Sequence, residues 1–221
     1  MDVLKELIKL QDLDYRRFNG ALVPGANLIG VRIPELRRLA KKIRRQDEKT
    51  MNLFLDNLPH MYLEENHLHG FILEGEESLD SLIQKTEIFL PYIDNWQTCD
   101  SFLPKLFKQE NDKIDKTIEK WLFSNHEFTS RYAMRLMIFR KDYNKNNIVN
   151  VIKAGENPAY YARMGAAWYL SMAAVCNPEQ LILSFQENEV STALRSATVR
   201  KIRESKRFTI EEKDFLSSQL G

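Results

Sequence analysis

Apolar residues recur at helical spacing along almost the whole chain, while the alternation of β-branched residues and the Asn-Gly turns that make hairpins are nearly absent. Val3, Leu4, Leu7, Ile8 and Leu10 share one side of a helix, and Leu36, Leu39, Ala40 and Ile43 follow Pro34 in the same rhythm. Further amphipathic stretches run at about 50–57, 61–73, 79–90, 95–108, 112–123, 127–140, 146–154, 158–175, 178–186, 191–204 and 209–219. Asn157-Pro158 and Asn177-Pro178 read as helix starts, with asparagine as cap and proline in the first turn. Pro104 falls inside a helical pattern and should kink or stop it. The irregular stretch Gly20 to Gly30 shapes the approach to the helix after it and carries no Gly-Lys-Ser/Thr phosphate loop.

About a dozen short helices in 221 residues means helix pairs of about 35–37 residues, the range of helical repeat arrays. The pattern predicts an all-α chain, an α-α superhelix of HEAT-like solenoid type with about six helix pairs. It is expected to form one C-shaped domain over residues 1–221 with a concave cleft; a compact orthogonal bundle is the alternative. With 43% hydrophobic and 29% charged residues the composition is that of a soluble globular chain, not a disordered one. No run approaches the ~18 apolar residues of a membrane span. The start, MDVLKELIKL, has neither a signal-peptide core nor transit-peptide composition. Cys99 and Cys176 are too few and too far apart for a disulfide framework or a cysteine zinc site, so a reducing cytoplasm is the expected compartment.

The formal charge of +1 conceals strong segregation. Residues 1–45 are net +6, residues 46–99 net −9 and residues 100–221 net +4. Two dense basic clusters stand out: Arg32, Arg37, Arg38, Lys41, Lys42, Arg44 and Arg45, and then Arg195, Arg200, Lys201, Arg203, Lys206 and Arg207. Charge grouped in this way can build a phosphate-binding face on a nearly neutral protein, although a basic helix can also be a merely solvated one.

One constellation carries chemistry. In Asp-Asn-Trp-Gln-Thr-Cys-Asp, residues 94–100, a cap at Asp94 or Asn95 places Trp96 and Asp100 one turn apart on one face. A carboxylate beside a large ring can hold a cation by charge and by the ring quadrupole. Arg131 lies 35 residues after Trp96, and Trp168 lies 37 after Arg131, each about one helix-pair period. The four are therefore candidates for equivalent places in successive repeats. Each also has a plain structural reading. Trp168 belongs to the stripe Tyr161, Met164, Trp168, Met172 and Val175, which is ordinary core spacing, and Arg131 can pair with Glu127 on its own helix. His67 and His69 are two apart on a helix and do not share a face, so they make a poor metal site, and Ser, His and Asp are too scattered for a triad.

On these residues the chain resembles the AlkD-type DNA alkylation repair glycosylases, which are built from HEAT-like repeats. The likeness runs from about residue 28 to 207. It covers LIGVRIPELRRLAKKI at 28–43, NWQTCDSFLP at 95–104, FTSRYAMRLMI at 128–138, YARMGAAWYL at 161–170 and RSATVRKI at 195–202. The resemblance implies excision of cationic N3- or N7-alkylated purines by hydrolysis of the N-glycosidic bond. Asp100 would be the catalytic carboxylate, Trp96 and Trp168 the tryptophans beside the lesion, and Arg131 the arginine on the DNA backbone. Duplex contacts are expected from the basic residues Arg32, Arg37, Arg38, Lys41, Arg163, Arg195, Arg200, Lys201 and Arg203. The partner is double-stranded DNA carrying alkylated bases; no metal, organic cofactor or membrane is implied, and a monomer is expected. The family's aromatic on the N-terminal helix has no clear counterpart, Phe18 lying too early and Ala21 occupying the aligned place. Two other functions fit the same scaffold: a catalytically silent binder of DNA structure, and a protein-interaction scaffold whose acidic segment receives a basic partner.

Overall fold

The computed structural model describes residues 2–46 and 48–221, among which there are fourteen α-helices and no strand. The chain divides into two compact units, Met1–Phe107 and Lys108–Gly221.

The first unit holds α1 (Val3–Lys9), α2 (Leu13–Leu22), α3 (Ile33–Gln46), α4 (Glu48–Asp56), α5 (Leu63–Leu73), α6 (Leu79–Phe89) and α7 (Trp96–Ser101). Within it α3, α5 and α7 pack as successive neighbours, α4 lies against α3 and α5, and α6 lies against α5. The second unit holds α8 (Asp112–Leu122), α9 (Glu127–Arg140), α10 (Lys145–Gly155), α11 (Tyr160–Cys176), α12 (Pro178–Glu187), α13 (Thr192–Glu204) and α14 (Ile210–Leu220). There α9, α11 and α13 form one row, and α10, α12 and α14 form another behind it. Paired helices in two rows are the architecture of an α-α repeat superhelix.

Local capping explains most boundaries. Asp2, Asp12, Ser78, Asn95, Asn111, Asn144, Asn177, Ser191 and Thr209 each accept a backbone N–H in the first turn of the helix they precede. The helix expected at 95–108 ends at Ser101, and a 3₁₀ turn at Lys105–Lys108 follows Pro104, whose ring cannot continue the ladder. At Asn157-Pro158 the expected start is early. The Asn157 side chain accepts from Ala159 N at 2.9 Å, but Ala159 is still extended and α11 begins at Tyr160. The helix α2 is not announced by periodicity, because only Asn19 on it is buried while Leu13, Phe18 and Leu22 are exposed.

Helices of successive pairs are tied together by carboxylates that reach back-to-back over about one repeat. Glu64, buried on α5, accepts N–H groups from Ile29 at 2.9 Å, Gly30 at 2.7 Å and Val31 at 3.2 Å. Glu127 accepts Tyr161 N at 3.0 Å, and Glu156 accepts Ser191 N at 2.9 Å. The separations are 33–35 residues at Glu64, 34 at Glu127 and 35 at Glu156, so the repeat that is weak in letters is written in these contacts. At Glu64 such charge-assisted bonds satisfy loop amides that would otherwise lie buried without partners; the Glu127 bond is part-buried and the Glu156 bond exposed.

Gly30 makes the turn before α3 possible. Its φ is +96°, and a Cβ there would stand 2.5 Å from Arg16 Cβ and 2.7 Å from the Asp12 carbonyl oxygen. Gly30→Ala is expected to destabilise the chain by about 2–4 kcal/mol, from a strained φ and overpacking together. Gly25, at φ +88° with nothing within 4 Å, supplies the control. Gly25→Ala should lose only the left-handed strain, about 1 kcal/mol. Chemical denaturation of both variants checks this, and equal midpoints for the two would show that the space around Gly30 does not matter.

Candidate active site and nucleic-acid interface

Trp96 and Asp100 stand one turn apart on α7, and both are half-buried. Asn95 starts this short helix by accepting Thr98 N at 2.8 Å. The Trp96 ring packs against the cluster of Val23, Leu28 and Leu63, as Ala26 does, and its indole N–H donates to the Leu22 carbonyl at 3.3 Å. Gln97, next in line, donates to Asn19 Oδ1 at 2.8 Å. The tryptophan is thus anchored on the C-terminal end of α2 and the loop behind it. Beside that anchor opens a concavity of about 800 Å³ lined by Arg16, Arg17, Ala26, Leu28 and Tyr62.

In the second unit Arg131 and Trp168 belong to the adjacent helices α9 and α11. Gly165 permits their close approach, since a Cβ there would lie 3.2 Å from both Arg131 Cγ and Met134 Sδ. Arg131 is 8% exposed, and its Nη1 donates to the Tyr161 carbonyl at 3.3 Å. Glu127 holds the N–H of the same residue, so Glu127 and Arg131 grip both polar groups of Tyr161 where α11 begins. The stripe Tyr161, Met164, Trp168, Met172 and Val175 is not the core of α11. The core face is Ala162, Ala166, Ala167, Tyr169, Leu170, Ala173 and Ala174, all buried, whereas every stripe member is half-buried or exposed. Arg135, one turn beyond Arg131, lies over the Trp168 ring at 5.2 Å. Sequence reasoning missed Arg135, although its i+4 relation to Arg131 was there to be read.

The basic residues divide by what they already do. Lys41 and Arg200 are exposed and Arg163 is half-buried, and among the described residues their side chains have no hydrogen-bond or ion-pair partner. Arg32 pairs with Asp12 at 2.9 Å and lies 4.9 Å from the Tyr15 ring centroid. Arg38 pairs with Glu35, Lys201 with Glu204 at 2.8 Å and Arg203 with Asp214 at 3.3 Å. Exposed pairs of this kind hold about 0–1 kcal/mol and exchange readily for a phosphate. Arg195 is different: its guanidinium donates to the carbonyls of Val190 at 3.1 Å, Leu220 at 3.0 Å and Phe185 at 3.0 Å. Those three bonds fasten the Arg195 guanidinium to the protein's own backbone, so a phosphate would have to share it with them. Arg37 is engaged with Glu74 and the Ser101 carbonyl.

No group of three or more potential metal ligands occurs among the described residues. His69 Nδ1 lies 3.0 Å from His60 Nε2, and its ring stacks on Phe89 at 4.0 Å. Burial pushes His60 and His67 down to about 4 and His69 to about 2, the His60 neighbour adding to the last shift. A groove of about 730 Å³ in the second unit, lined by Lys116, Arg140, Asn147 and Asn150 among others, contains none of the candidate residues. No helix among the described residues is long and apolar enough to cross a membrane.

Comparison with known proteins bears on these placements. The comparison with curated proteins and that with solved structures each find no match. A family model described as DNA alkylation repair enzyme matches residues 3–203, which runs from α1 into α13 and takes in Trp96, Asp100, Arg131, Trp168, the first basic cluster and the second as far as Arg203. With helical repeats in both units and a match over nine-tenths of its length, the chain belongs to the DNA alkylation repair enzyme family.

Proposed function

We propose that the protein is a monofunctional DNA glycosylase that hydrolyses the N-glycosidic bond of cationic N3- or N7-alkylated purines in duplex DNA. The observation that carries this reading is the Trp96–Asp100 pair, a half-buried ring and a half-buried carboxylate one turn apart on a helix inside the family match. Alkylation makes the base a cation and a good leaving group. Its departure puts positive charge on the deoxyribose, and a fixed carboxylate there lowers the barrier and can orient the attacking water. In the first unit Trp96 packs against the sugar and the cationic base; in the second, Trp168 offers a ring to the cation and Arg131 a guanidinium to the DNA backbone. Lys41, Arg163 and Arg200 contact phosphates directly, with Arg32, Arg38, Lys201 and Arg203 recruited from their exposed ion pairs. The enzyme works as a monomer in the reducing cytoplasm, which suits Cys99 and Cys176, neither of them in a disulfide.

The test is release of free base from N7-methylated duplex under single-turnover conditions. Release above the spontaneous rate supports the reading. Tight duplex binding without release selects instead a catalytically silent binder. That second reading is favoured by one observation, the Arg135 guanidinium already lying over the Trp168 ring where a cationic base would pack.

The phosphate contacts have their own signature. Replacing Arg200 and Arg203 together with glutamine should weaken binding to damaged and undamaged duplex alike. It should flatten the slope of log affinity against log salt by up to about 2. An unchanged slope, read by fluorescence anisotropy at several salt concentrations, would remove this helix from the interface.

A further inference from the structure

The helix that carries Trp96 and Asp100 has six residues, too few to hold its own geometry without tertiary support. Its start is closed locally by Asn95, but its exit is held by two charged side chains from two other helices. Arg37 of α3 donates through Nη2 to the Ser101 carbonyl at 3.2 Å and to Glu74 Oε1 at 3.4 Å, and through Nη1 to Glu74 Oε2. Glu74, which caps the C-terminus of α5, accepts Leu103 N through Oε1 at 2.9 Å. The guanidinium lies 3.9 Å from the Phe71 ring centroid, which fixes its plane from below. The ion pair therefore grips the backbone on both sides of Phe102, a fully buried residue, immediately after Asp100.

We infer that Arg37 and Glu74 form a positioning clamp for the active-site helix: they set where α7 ends, and so where the Asp100 carboxylate stands. Arg37 then acts through α7 rather than on a phosphate, although its place in the basic cluster reads as a duplex contact. Moving it to a phosphate would leave the Ser101 carbonyl and the Glu74 carboxylate, 16% exposed, without their charged partner. Exposed pairs such as Lys201–Glu204 carry no such backbone bonds. The inference rests on the glycosylase reading.

The test compares Arg37→Met, Arg37→Lys, Glu74→Gln and the double variant Arg37→Met/Glu74→Gln with the wild-type chain, well below their melting temperatures. Base release from N7-methylated duplex gives kcat and KM, and anisotropy on undamaged duplex gives the salt slope. The clamp predicts that Arg37→Met and Glu74→Gln each lower kcat by roughly 10²-fold, as ångström-scale misplacement does. KM and the salt slope stay at the wild-type values, Arg37→Lys recovers part of kcat, and the double variant falls no further than the worse single one. If Arg37→Met instead raises KM and flattens the salt slope by about 0.9 with kcat kept, Arg37 is a phosphate contact and the inference is overturned. Lower melting temperatures with kcat and KM intact overturn it as well, leaving packing alone. A wild-type chain that releases no base sinks the glycosylase reading separately. The clamp is then judged by amide hydrogen exchange over residues 96–103: faster exchange in Glu74→Gln supports it, and unchanged exchange overturns it.

Discussion

Asp100→Asn is expected to lower base release from alkylated duplex by about 10²–10³-fold, the range for removing one preorganised electrostatic group from a transition state. The substitution keeps the size and most of the hydrogen-bonding capacity of the side chain, so α7 and the Trp96 packing should stand. What disappears is the negative charge beside the developing sugar cation. The same charge repels the DNA backbone in the ground state, so binding to undamaged duplex should be unchanged or slightly tighter. Loss of release with retained binding separates chemistry from positioning, and is the reverse of the Arg200/Arg203 result. Release by Asp100→Asn at the wild-type rate would sink the assigned mechanism, whatever becomes of the fold.

Acid should destabilise the first unit well before ordinary carboxylates titrate. His60, His67 and His69 cluster on and beside α5, with His60 stacked on Phe54 at 4.5 Å and His67 parallel to Phe71 at 6.1 Å. Among the described residues Nδ1 of His60 is buried without a hydrogen-bond partner, and the fully buried His67 ring has only the Gln97 backbone to favour its charged form. Burial holds the folded values at about 4, 4 and 2, against the usual 6.5. The unfolded chain therefore takes up protons below pH 6.5 that the folded chain refuses. Stability is full above that pH and is lost as the pH falls toward 4. Each histidine contributes a slope of up to about 1.4 kcal/mol per pH unit, and three together up to about 4 between pH 6 and 4. In the second unit burial also lowers the half-exposed His126, with the Glu127 carboxylate opposing it. Denaturant titrations at pH 7.5, 6.5, 5.5 and 4.5 read the slope, and His69→Phe, which keeps the stack on Phe89, should reduce it by one proton. Stability independent of pH over that range would show that these rings are not held neutral.

The secondary structure was legible in the sequence because a helix is a local object. Its apolar face repeats every three or four residues and its cap lies within one turn, as Asn177-Pro178 before α12 and Asn95 before α7 illustrate. The all-α class followed, as did the repeat length and the pairing of Trp96 with Asp100 on one face. The element that periodicity missed was α2, where no buried apolar stripe exists to be read, and the end at Ser101 and the start at Tyr160 also differed from the expected bounds.

Tertiary structure decided what those residues face, because their partners lie one repeat or more away in the chain. The Trp168 stripe has core spacing, yet of the faces of α11, which packs against α9, α10 and α13, it is the alanine face that is buried and the stripe that stays half-exposed, since small residues let helices approach most closely. Within two runs of basic residues that look alike as letters, Arg200 has no partner among the described residues, Arg195 fastens three carbonyls, and Arg37 reaches 64 residues to Ser101. A guanidinium carries the same charge in each case. Whether it meets solvent, an exposed carboxylate or a buried carbonyl depends on long-range packing, and that alone separates a candidate phosphate contact from a structural arginine.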